Sequence, residues 1–273
     1  MEPAMSGDND ELLVDDDGRL RIITLNRPNR MNALTPELHH RLQSAVVAAA
    51  NDPDVGAVAL TGAGQAFCSG GDVRKSTDEA AKADRPETVE ERADSIMAHG
   101  RTVITLHRMG KPTIALINGA AAGSGMALAL ACDMRVMAEG AIMRTAYARI
   151  GLSGDLGLSY FLNRLAGPAK ASELLYLNAK VSAEECLGLG LANLVFSAET
   201  FESEAFGLAR KLANGPTVAF RCMKQNLQTA ASASLEQTIE REAYNTARCV
   251  RTKDVKEAAL AFREKRDPAF KGM

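Results

Sequence analysis

The 273-residue sequence contains no tryptophan, and aromatic residues of all kinds make up only 4% of it. It also lacks an excess of either charge, because 32 lysine and arginine residues face 34 aspartate and glutamate residues, for a formal net charge of -2. A chain with so little net charge has no extended positive field to attract nucleic acid or an acidic membrane. We therefore expect no nucleic-acid partner.

Paired cysteines are also missing. The five cysteines are odd in number and scattered along the chain, without the spacing of a zinc site or a redox dithiol: Cys68, Cys132, Cys186, Cys222 and Cys249. The sequence therefore predicts reduced, mostly buried thiols and no metal.

The sequence has neither a long apolar run nor a secretory leader. Its most apolar stretch, Ala120–Ala131, is followed closely by Asp133 and is shorter than the roughly 20 residues that a membrane helix needs. Met1 to Asp10 is polar and acidic, whereas a secretory signal begins with basic residues and an apolar run. We expect a cytoplasmic protein with no membrane partner.

What the chain does contain is the composition of a globular protein, with 46% hydrophobic and 24% charged residues. Short apolar runs such as Val55–Thr61 and Thr113–Asn118 are each followed by a glycine-rich loop and helical sequence, which predicts an α/β fold. From Glu199 onward the pattern is helical only. We therefore divide the chain into a core over residues 1–199 and a helical region over residues 200–273.

The first elements have clear local signals. Leu12–Val14 and Leu20–Leu25 are β-prone and flank the turn-forming cluster Asp15–Gly18, which predicts a hairpin. Thr35 and Pro36 are typical of a helix N-cap and first turn, and the apolar spacing that follows predicts a helix to about Asn51.

The stretch Arg74–Asp94 is dense in charge and has little apolar periodicity. It is typical of a surface loop, and we expect it to lead into a helix over Ser95–Met109.

Two glycine-rich segments, Leu60–Val73 and Ile117–Met126, each follow a predicted strand. Glycine allows the backbone to approach a ligand, and N–H groups at a loop or helix start can face an anionic oxygen. Neither segment has the lysine and hydroxyl residue of a phosphate loop, and neither completes a dinucleotide fingerprint. Taken singly, each could be an ordinary tight turn; two such donors together make an oxyanion hole.

In their order along the chain, these segments resemble those of the enoyl-CoA hydratase/isomerase family, also called the crotonase superfamily. The resemblance runs from about Leu12 to Lys271 and rests on several ordered motifs. The others are Leu25–Leu34 (LNRPNRMNAL), Ala131–Asp133 (ACD), Leu187–Leu191 (LGLGL) and Ala261–Lys271 (AFREKRDPAFK).

The resemblance implies a crotonase-like spiral of ββα units with a C-terminal helical region that assembles a homotrimer or a dimer of trimers. It also implies an acyl-CoA thioester substrate, whose enolate is stabilised by two backbone N–H groups. By position these belong to Gly71 and Ser124. Serine stands here where the family usually has glycine, but its backbone donor is unchanged.

By the same resemblance, nine further residues are expected to contact coenzyme A, which enters as part of the substrate; no other cofactor is expected. They are Asn29, Arg30, Met31, Ser69, Asp72, Val73, Arg74, Phe262 and Lys265. Basic side chains on loops are usually solvated, an alternative that we favour for Arg74.

Family hydratases use two glutamates, and this sequence has Ala127 and Tyr147 at the matching positions. With a reference pKa near 10, Tyr147 is a poor replacement base at neutral pH, so we interpret it as an aromatic residue of the pocket wall. Asp155 matches the acid of family isomerases. A single carboxylate suffices there, because it removes a proton from one carbon and returns it to another. The alternative is that Asp155 caps a helix beginning near Leu156.

The sequence predicts an isomerase that uses Asp155 and leaves three alternatives open. One is a hydratase with a non-standard acid, and another is an acyl-CoA-binding homologue with weak activity. The third is a dehalogenase, in which the aspartate is a nucleophile and a histidine activates water. His99 is near the expected histidine position but out of register, so we rank dehalogenation low. Met97, Met126 and Met143 could line an acyl pocket, although methionine is more often plain core.

Overall fold

A computed structural model describes residues 10–72 and 85–273. Val73 and Arg74, two of the predicted coenzyme A contacts, lie outside the described residues, as does much of the charged stretch that was predicted to be a loop. Within the described ranges the chain is an α/β structure with two sheets.

The strands that the structure describes alternate with helices along most of the chain. They are β1 Leu12–Asp17, β2 Leu20–Leu25, β3 Ala57–Gly62, β4 Ala66–Cys68, β5 Thr113–Ile117, β6 Ala120–Ala122, β7 Met134–Ala138, β8 Ile142–Arg144, β9 Val181–Ser182 and β10 Leu194–Phe196.

In the described residues after residue 200, the α-helices follow one another with no strand between them. The α-helices of all the described residues are α1 Pro36–Asn51, α2 Val89–Arg108, α3 Ser124–Ala131, α4 Leu158–Leu165, α5 Pro168–Leu177, α6 Ala183–Gly188, α7 Phe201–Ala213, α8 Thr217–Ala230, α9 Leu235–Val250 and α10 Lys253–Glu264. Single 3₁₀ turns lie at Pro28–Arg30 and Tyr147–Ile150.

The six-stranded sheet has the order β1-β2-β3-β5-β7-β10, and the four-stranded sheet has the order β4-β6-β8-β9. Three times along the chain, a strand of the large sheet is followed by a strand of the small sheet and then by a helix. The consecutive strands are β3 and β4, β5 and β6, and β7 and β8. This arrangement confirms the predicted spiral of ββα units. Because β3 and β5 are parallel neighbours, the loops after them leave the large sheet at the same edge.

Apolar side chains fill the space between the sheets and the helices. Every residue of α3 is buried, which explains why its sequence is apolar on all sides. Helix α7 buries Ala205, Ala209 and Ala213 and packs on strands of the large sheet. The three helices that follow it, α8 to α10, also carry large exposed apolar side chains.

The hairpin and the first helix are confirmed, with one correction. Asp15 to Asp17 belong to β1, and the turn is formed by Gly18 and Arg19 alone. Thr35 caps α1 as predicted, since its side chain accepts a hydrogen bond from the N–H of Leu38 at 3.1 Å.

The predicted start of the second helix is wrong. It begins at Val89 rather than Ser95, because Thr88 and Glu91 form a reciprocal capping box inside the charged stretch. In the described part of the chain, no helix is both long and apolar enough to cross a bilayer.

Candidate active site

The two glycine loops meet at the edge of the large sheet. A Cβ atom on Gly70 would lie 3.0 Å from the carbonyl oxygen of Ala122 and 3.5 Å from the backbone nitrogen of Ser124. A Cβ on Gly125 would come within 2.2 Å of the carbonyl oxygen of Cys68. Only glycine allows this approach, so these positions set the distance between the first loop and the start of α3.

Two backbone N–H groups are available where the loops meet. Ser124 is the first residue of α3, where an N–H has no carbonyl acceptor within its own helix. Beside Gly71, Leu34 donates to the Gly70 oxygen at 2.8 Å and accepts from the N–H of Asp72 at 2.9 Å. Over residues 10–72 and 85–273, neither the Gly71 nor the Ser124 N–H donates a hydrogen bond. The pair can therefore serve an external oxygen.

Asn32 holds the first loop in place, a role that sequence reasoning missed. It is fully buried, with a φ of 55°. Its Nδ2 donates to the carbonyl oxygens of Ala63 at 2.9 Å and Ala66 at 2.7 Å, while its Oδ1 accepts from the N–H of Arg27 at 2.8 Å. The only signal in the sequence for this role of Asn32 was its place within the LNRPNRMNAL motif.

Five of the predicted coenzyme A contacts lie together. They line one open cavity of about 340 Å³ that also includes Gly71 and Ala33, and they are Asn29, Arg30, Met31, Ser69 and Asp72. The Asp72 carboxylate accepts a hydrogen bond from Arg27 at 3.1 Å, which ties the glycine loop to the segment after β2. Phe262 and Lys265, at the end of α10, do not line this cavity, and Phe262 is 85% exposed.

Asp155 faces the second loop. Tyr147 donates its hydroxyl to Asp155 Oδ1 in a short hydrogen bond, and Ser124 Oγ donates to the same oxygen at 3.4 Å. The hydroxyl groups of Ser124 and Tyr147 are 3.2 Å apart. Helix α4 begins at Leu158 with Gly157 at its N-cap, so Asp155 does not cap it and that alternative is wrong.

Tyr147 is buried, with 7% of its surface exposed. Its pKa is raised, first by burial and then by the charge of Asp155. The phenol therefore stays protonated at neutral pH, where it is a hydrogen-bond donor to the carboxylate rather than a base. It also lies against the glycine loops, since its ring is within 3.8 Å of a Cβ placed on Gly123.

Two histidines, one on α1 and one on α2, stack on each other. The rings of His39 on α1 and His99 on α2 are 4.0 Å apart between centroids, with an interplanar angle of 13°. Burial lowers the pKa of His39 to about 3, and burial also lowers the pKa of His99. The charge of Asp155 acts on His99 in the opposite direction. His99, which the sequence register did not match to the dehalogenase histidine, is thus within the electrostatic influence of Asp155.

The backbone on both sides of this network is strained. Ala146, just before Tyr147, has a φ of 68°, and Leu156, just after Asp155, has a φ of 51°. The N–H of Ala146 donates to the Asn178 side chain at 2.8 Å, which fixes that strained turn. Strained non-glycine residues of this kind cluster at functional sites. Neither residue carries a sequence signal for a left-handed conformation.

The methionines divide between surface and core. Met97 is 63% exposed, whereas Met126 and Met143 are fully buried. Across the residues that the structure describes, no three histidine, cysteine, aspartate or glutamate side chains are grouped to hold a metal ion.

A family model described as enoyl-CoA hydratase/isomerase matches residues 17–273. The chain is 34% identical to 1,2-epoxyphenylacetyl-CoA isomerase of Escherichia coli (strain K12), covering 92% of this chain and 94% of that protein. It is 32% identical to 4-chlorobenzoyl coenzyme A dehalogenase-2 of Arthrobacter sp, covering 89% and 87%. Among solved structures, enoyl-CoA hydratase from Bacillus anthracis superposes with a TM-score of 0.88 at 30% identity, covering 97% of this chain and 100% of that one.

Proposed function

Because the chain belongs to the enoyl-CoA hydratase/isomerase family, we propose that it isomerises an enoyl-CoA or a related acyl-CoA, with Asp155 as the acid and base. The observation that carries the proposal is the position of the Asp155 carboxylate, which contacts both Ser124 and Tyr147 beside the glycine loops. Ala127 and Tyr147 stand at the positions of the two hydratase glutamates and supply no carboxylate.

The proton transfer follows from this arrangement. Asp155 takes a proton from a carbon of the acyl chain, and the electron pair moves into the thioester carbonyl to give an enolate. The N–H groups of Gly71 and Ser124 donate to the enolate oxygen, which preorganised donors of this kind stabilise by about 3–4 kcal/mol each. The protonated Asp155 then returns the proton to a different carbon, and the double bond moves. Tyr147 and Ser124 hold the carboxylate in position throughout.

Liquid chromatography coupled to mass spectrometry, in deuterated water, tests the proposal, because the chromatography separates isomers of equal mass. A panel of saturated, 2-enoyl, 3-enoyl and epoxyacyl-CoA thioesters is incubated with the wild type, with Asp155→Asn and with a control variant. Asp54→Asn is the control, because Asp54 is exposed in the loop between α1 and β3, away from the glycine loops. We expect isomerisation, with or without deuterium uptake, in the wild type and Asp54→Asn, and its loss in Asp155→Asn. An Asp155→Asn enzyme that isomerises its best substrate at the wild-type rate contradicts the proposal.

The alternative functions give different results in the same experiment. A product heavier by one water identifies a hydratase that works without the usual glutamates. Tight binding of a thioester with no turnover and no exchange identifies a binding protein with weak activity.

Dehalogenation is a second candidate, favoured by the similarity to 4-chlorobenzoyl coenzyme A dehalogenase-2 and by the electrostatic influence of Asp155 on His99. In that reaction the Asp155 carboxylate displaces the halide to form an ester, and water activated by His99 hydrolyses the ester. The lowered pKa of His99 keeps its imidazole neutral, as a base must be. Adding 4-chlorobenzoyl-CoA to the panel and measuring released chloride tests this candidate.

Two further expectations belong to the proposal. A proton transfer between carbons is redox-neutral, so the enzyme needs no cofactor beyond the coenzyme A of its substrate. We also propose that Phe262 and Lys265 contact coenzyme A once the chain has assembled into a trimer or a dimer of trimers, since they lie apart from the cavity within one chain. The cytoplasmic location stays a prediction.

A further inference from the structure

A second cavity, of about 250 Å³, lies at the opposite edge of the large sheet from the glycine loops. It is bounded by the turn that precedes β5 and by one face of α8, whereas the second glycine loop follows the other end of β5. Most of its polar lining is cationic or amide, namely Arg108, Lys111, Arg221, Lys224, Gln225 and Gln228.

Two of the four cationic side chains, those of Lys111 and Lys224, form structural hydrogen bonds that account for their positions. Lys111 is 5% exposed, and its Nζ donates to the carbonyl oxygens of Ala49, at 2.6 Å, and Asp52, at the end of α1. Lys224 Nζ donates to the carbonyl oxygen of Leu106 at 3.1 Å and to Asp133 Oδ2 at 2.8 Å. Both ammonium groups therefore cap helix ends.

The two arginines have no such explanation. In residues 10–72 and 85–273, neither Arg108 nor Arg221 forms an ion pair. Gly110 makes room for Arg221, since a Cβ on that glycine would lie 2.7 Å from Arg221 Nε. Both side chains are exposed enough to move toward a ligand in the cavity.

The charges around the cavity leave a positive excess. The pKa of Lys111 is lowered first by burial, and Arg21, Arg221 and Arg19 lower it further, against the opposing charge of Asp52. The Asp52 carboxylate is paired with Arg21 at 3.1 Å, and the Asp133 carboxylate is paired with Lys224.

A polar group in the cavity wall is also without a partner. Gln225 Oε1 is buried and accepts no hydrogen bond from the described residues.

We propose that this cavity binds a small oxyanion of the phosphate class, at a site separate from the acyl-CoA site. Planar guanidinium groups such as those of Arg108 and Arg221 can donate paired hydrogen bonds to such an anion. The buried charge of Lys111 strengthens the attraction, because partly buried charges are less screened than exposed ones. The ligand is either a free inorganic anion or the phosphate end of a nucleotide.

Isothermal titration of the full chain tests the proposal, with inorganic phosphate, pyrophosphate and ATP as separate probes. Coenzyme A is kept at saturating concentration, so that the probes cannot report on the site for its own phosphates. The variants are Arg221→Gln and Arg108→Gln, which leave the lysine caps intact. Arg101→Gln is the matched control, because Arg101 is an exposed arginine of α2 that does not line the cavity.

We expect one anion bound per chain and binding at least tenfold weaker in each of the two cavity variants, with no change in Arg101→Gln. Preference for phosphate or pyrophosphate identifies a free anion, and preference for ATP identifies a nucleotide. Absence of binding by all three probes overturns the proposal. Equal binding by the cavity variants and the control overturns it too.

Discussion

Two hydroxyl groups at the candidate site donate hydrogen bonds to one carboxylate. The Asp155 carboxylate accepts from both Tyr147 and Ser124, and the raised pKa of Tyr147 keeps its phenol protonated as a donor. A carboxylate held by two donors has a defined orientation, so we propose that Tyr147 acts as a positioning residue.

Replacing Tyr147 with phenylalanine removes the donor and keeps the ring. Hydrogen bonds to charged groups contribute about 1.5–3 kcal/mol, so we expect kcat to fall roughly 10- to 100-fold with little change in KM. Steady-state kinetics on the best acyl-CoA measures this. Tyr176→Phe is the matched control, because Tyr176 is 79% exposed, and it should behave as the wild type. An unchanged kcat in Tyr147→Phe would show that Asp155 needs no such support.

The buried His39 makes stability depend on pH. Its pKa is lowered from 6.5 to about 3 by burial, so the imidazole is neutral in the folded chain, whereas the unfolded chain binds a proton below about pH 6.5. Protonation of His39 therefore costs no free energy of unfolding above that pH, and it lowers the free energy of unfolding progressively as the pH falls toward 3. The loss is at most about 1.4 kcal/mol per pH unit for this group.

Urea unfolding at pH 7, 6 and 5 measures the effect. His39→Gln cannot take up the proton, so its free energy of unfolding should fall less between pH 7 and pH 5 than that of the wild type. His40→Gln is the control, because His40 is exposed on the same helix, and it should keep the wild-type slope. Parallel pH profiles for all three proteins would refute the assignment to His39.

The sequence pointed to Asp155 but not to its surroundings. Its motif fits both a catalytic acid and a helix cap, and only the position of α4 removes the second interpretation. The contacts that hold it come from Tyr147, eight residues away, and Ser124, 31 residues away, and neither carries a pairing signal. His99 likewise stacks on His39 through the packing of α2 on α1, which a comparison of spacing could not show.

At the scale of elements, the site depends on how closely α3 approaches β4. Gly125 lies in the first turn of α3, where an added Cβ would be 2.2 Å from the Cys68 carbonyl oxygen. The loops could be identified from their glycines, yet the sequence could not say which glycine is required for packing. At Gly207, on the exposed side of α7, an added Cβ would meet nothing within 4 Å.

These two positions predict opposite outcomes for the same substitution. Gly125→Ala should destabilise the fold by about 1–3 kcal/mol through overpacking, and it should reduce kcat by displacing the Ser124 N–H. Gly207→Ala should raise stability by about 0.5–1 kcal/mol, since alanine is the better helix former, and leave kcat unchanged. Denaturant unfolding and steady-state kinetics of both variants measure this. Equal stability of the two variants would contradict the packing argument.

Local signals decided which elements the sequence could place. The Thr35 cap and the β-prone runs of the hairpin were sufficient, because each signal lies next to the element it bounds. The capping box of Thr88 and Glu91 was hidden in a stretch with little apolar periodicity, so α2 is longer than expected. Asp15 to Asp17 extend β1 because the pairing with β2 continues to Leu20, and this long-range contact outweighs their turn preference.

At the scale of the whole molecule, helices α8 to α10 leave large apolar side chains uncovered. On α9, Leu235 is 71% exposed and Ile239 is 55% exposed, and Leu227 on α8 is 74% exposed. Leu235 and Ile239 are four residues apart on one helix, and neighbouring exposed apolar side chains of this kind are typical of an interaction site. The helical composition of residues 200–273 could be predicted from sequence, but helix α7 packs on the large sheet, so we expect assembly contacts on the helices after it.

We therefore expect a trimer or a dimer of trimers whose contacts include α9. Leu235 and Ile239 are one helical turn apart and lie on the same side of α9, so glutamate at both positions would bury two charges in the contact. Light scattering should give the mass of three or six chains of 29.1 kDa for the wild type and a smaller species for Leu235→Glu/Ile239→Glu. Ser203→Glu adds charge to an exposed position of α7 and should assemble normally. A wild-type monomer at micromolar concentration would exclude the assembly, and an undiminished mass in the double variant would move the contact away from α9.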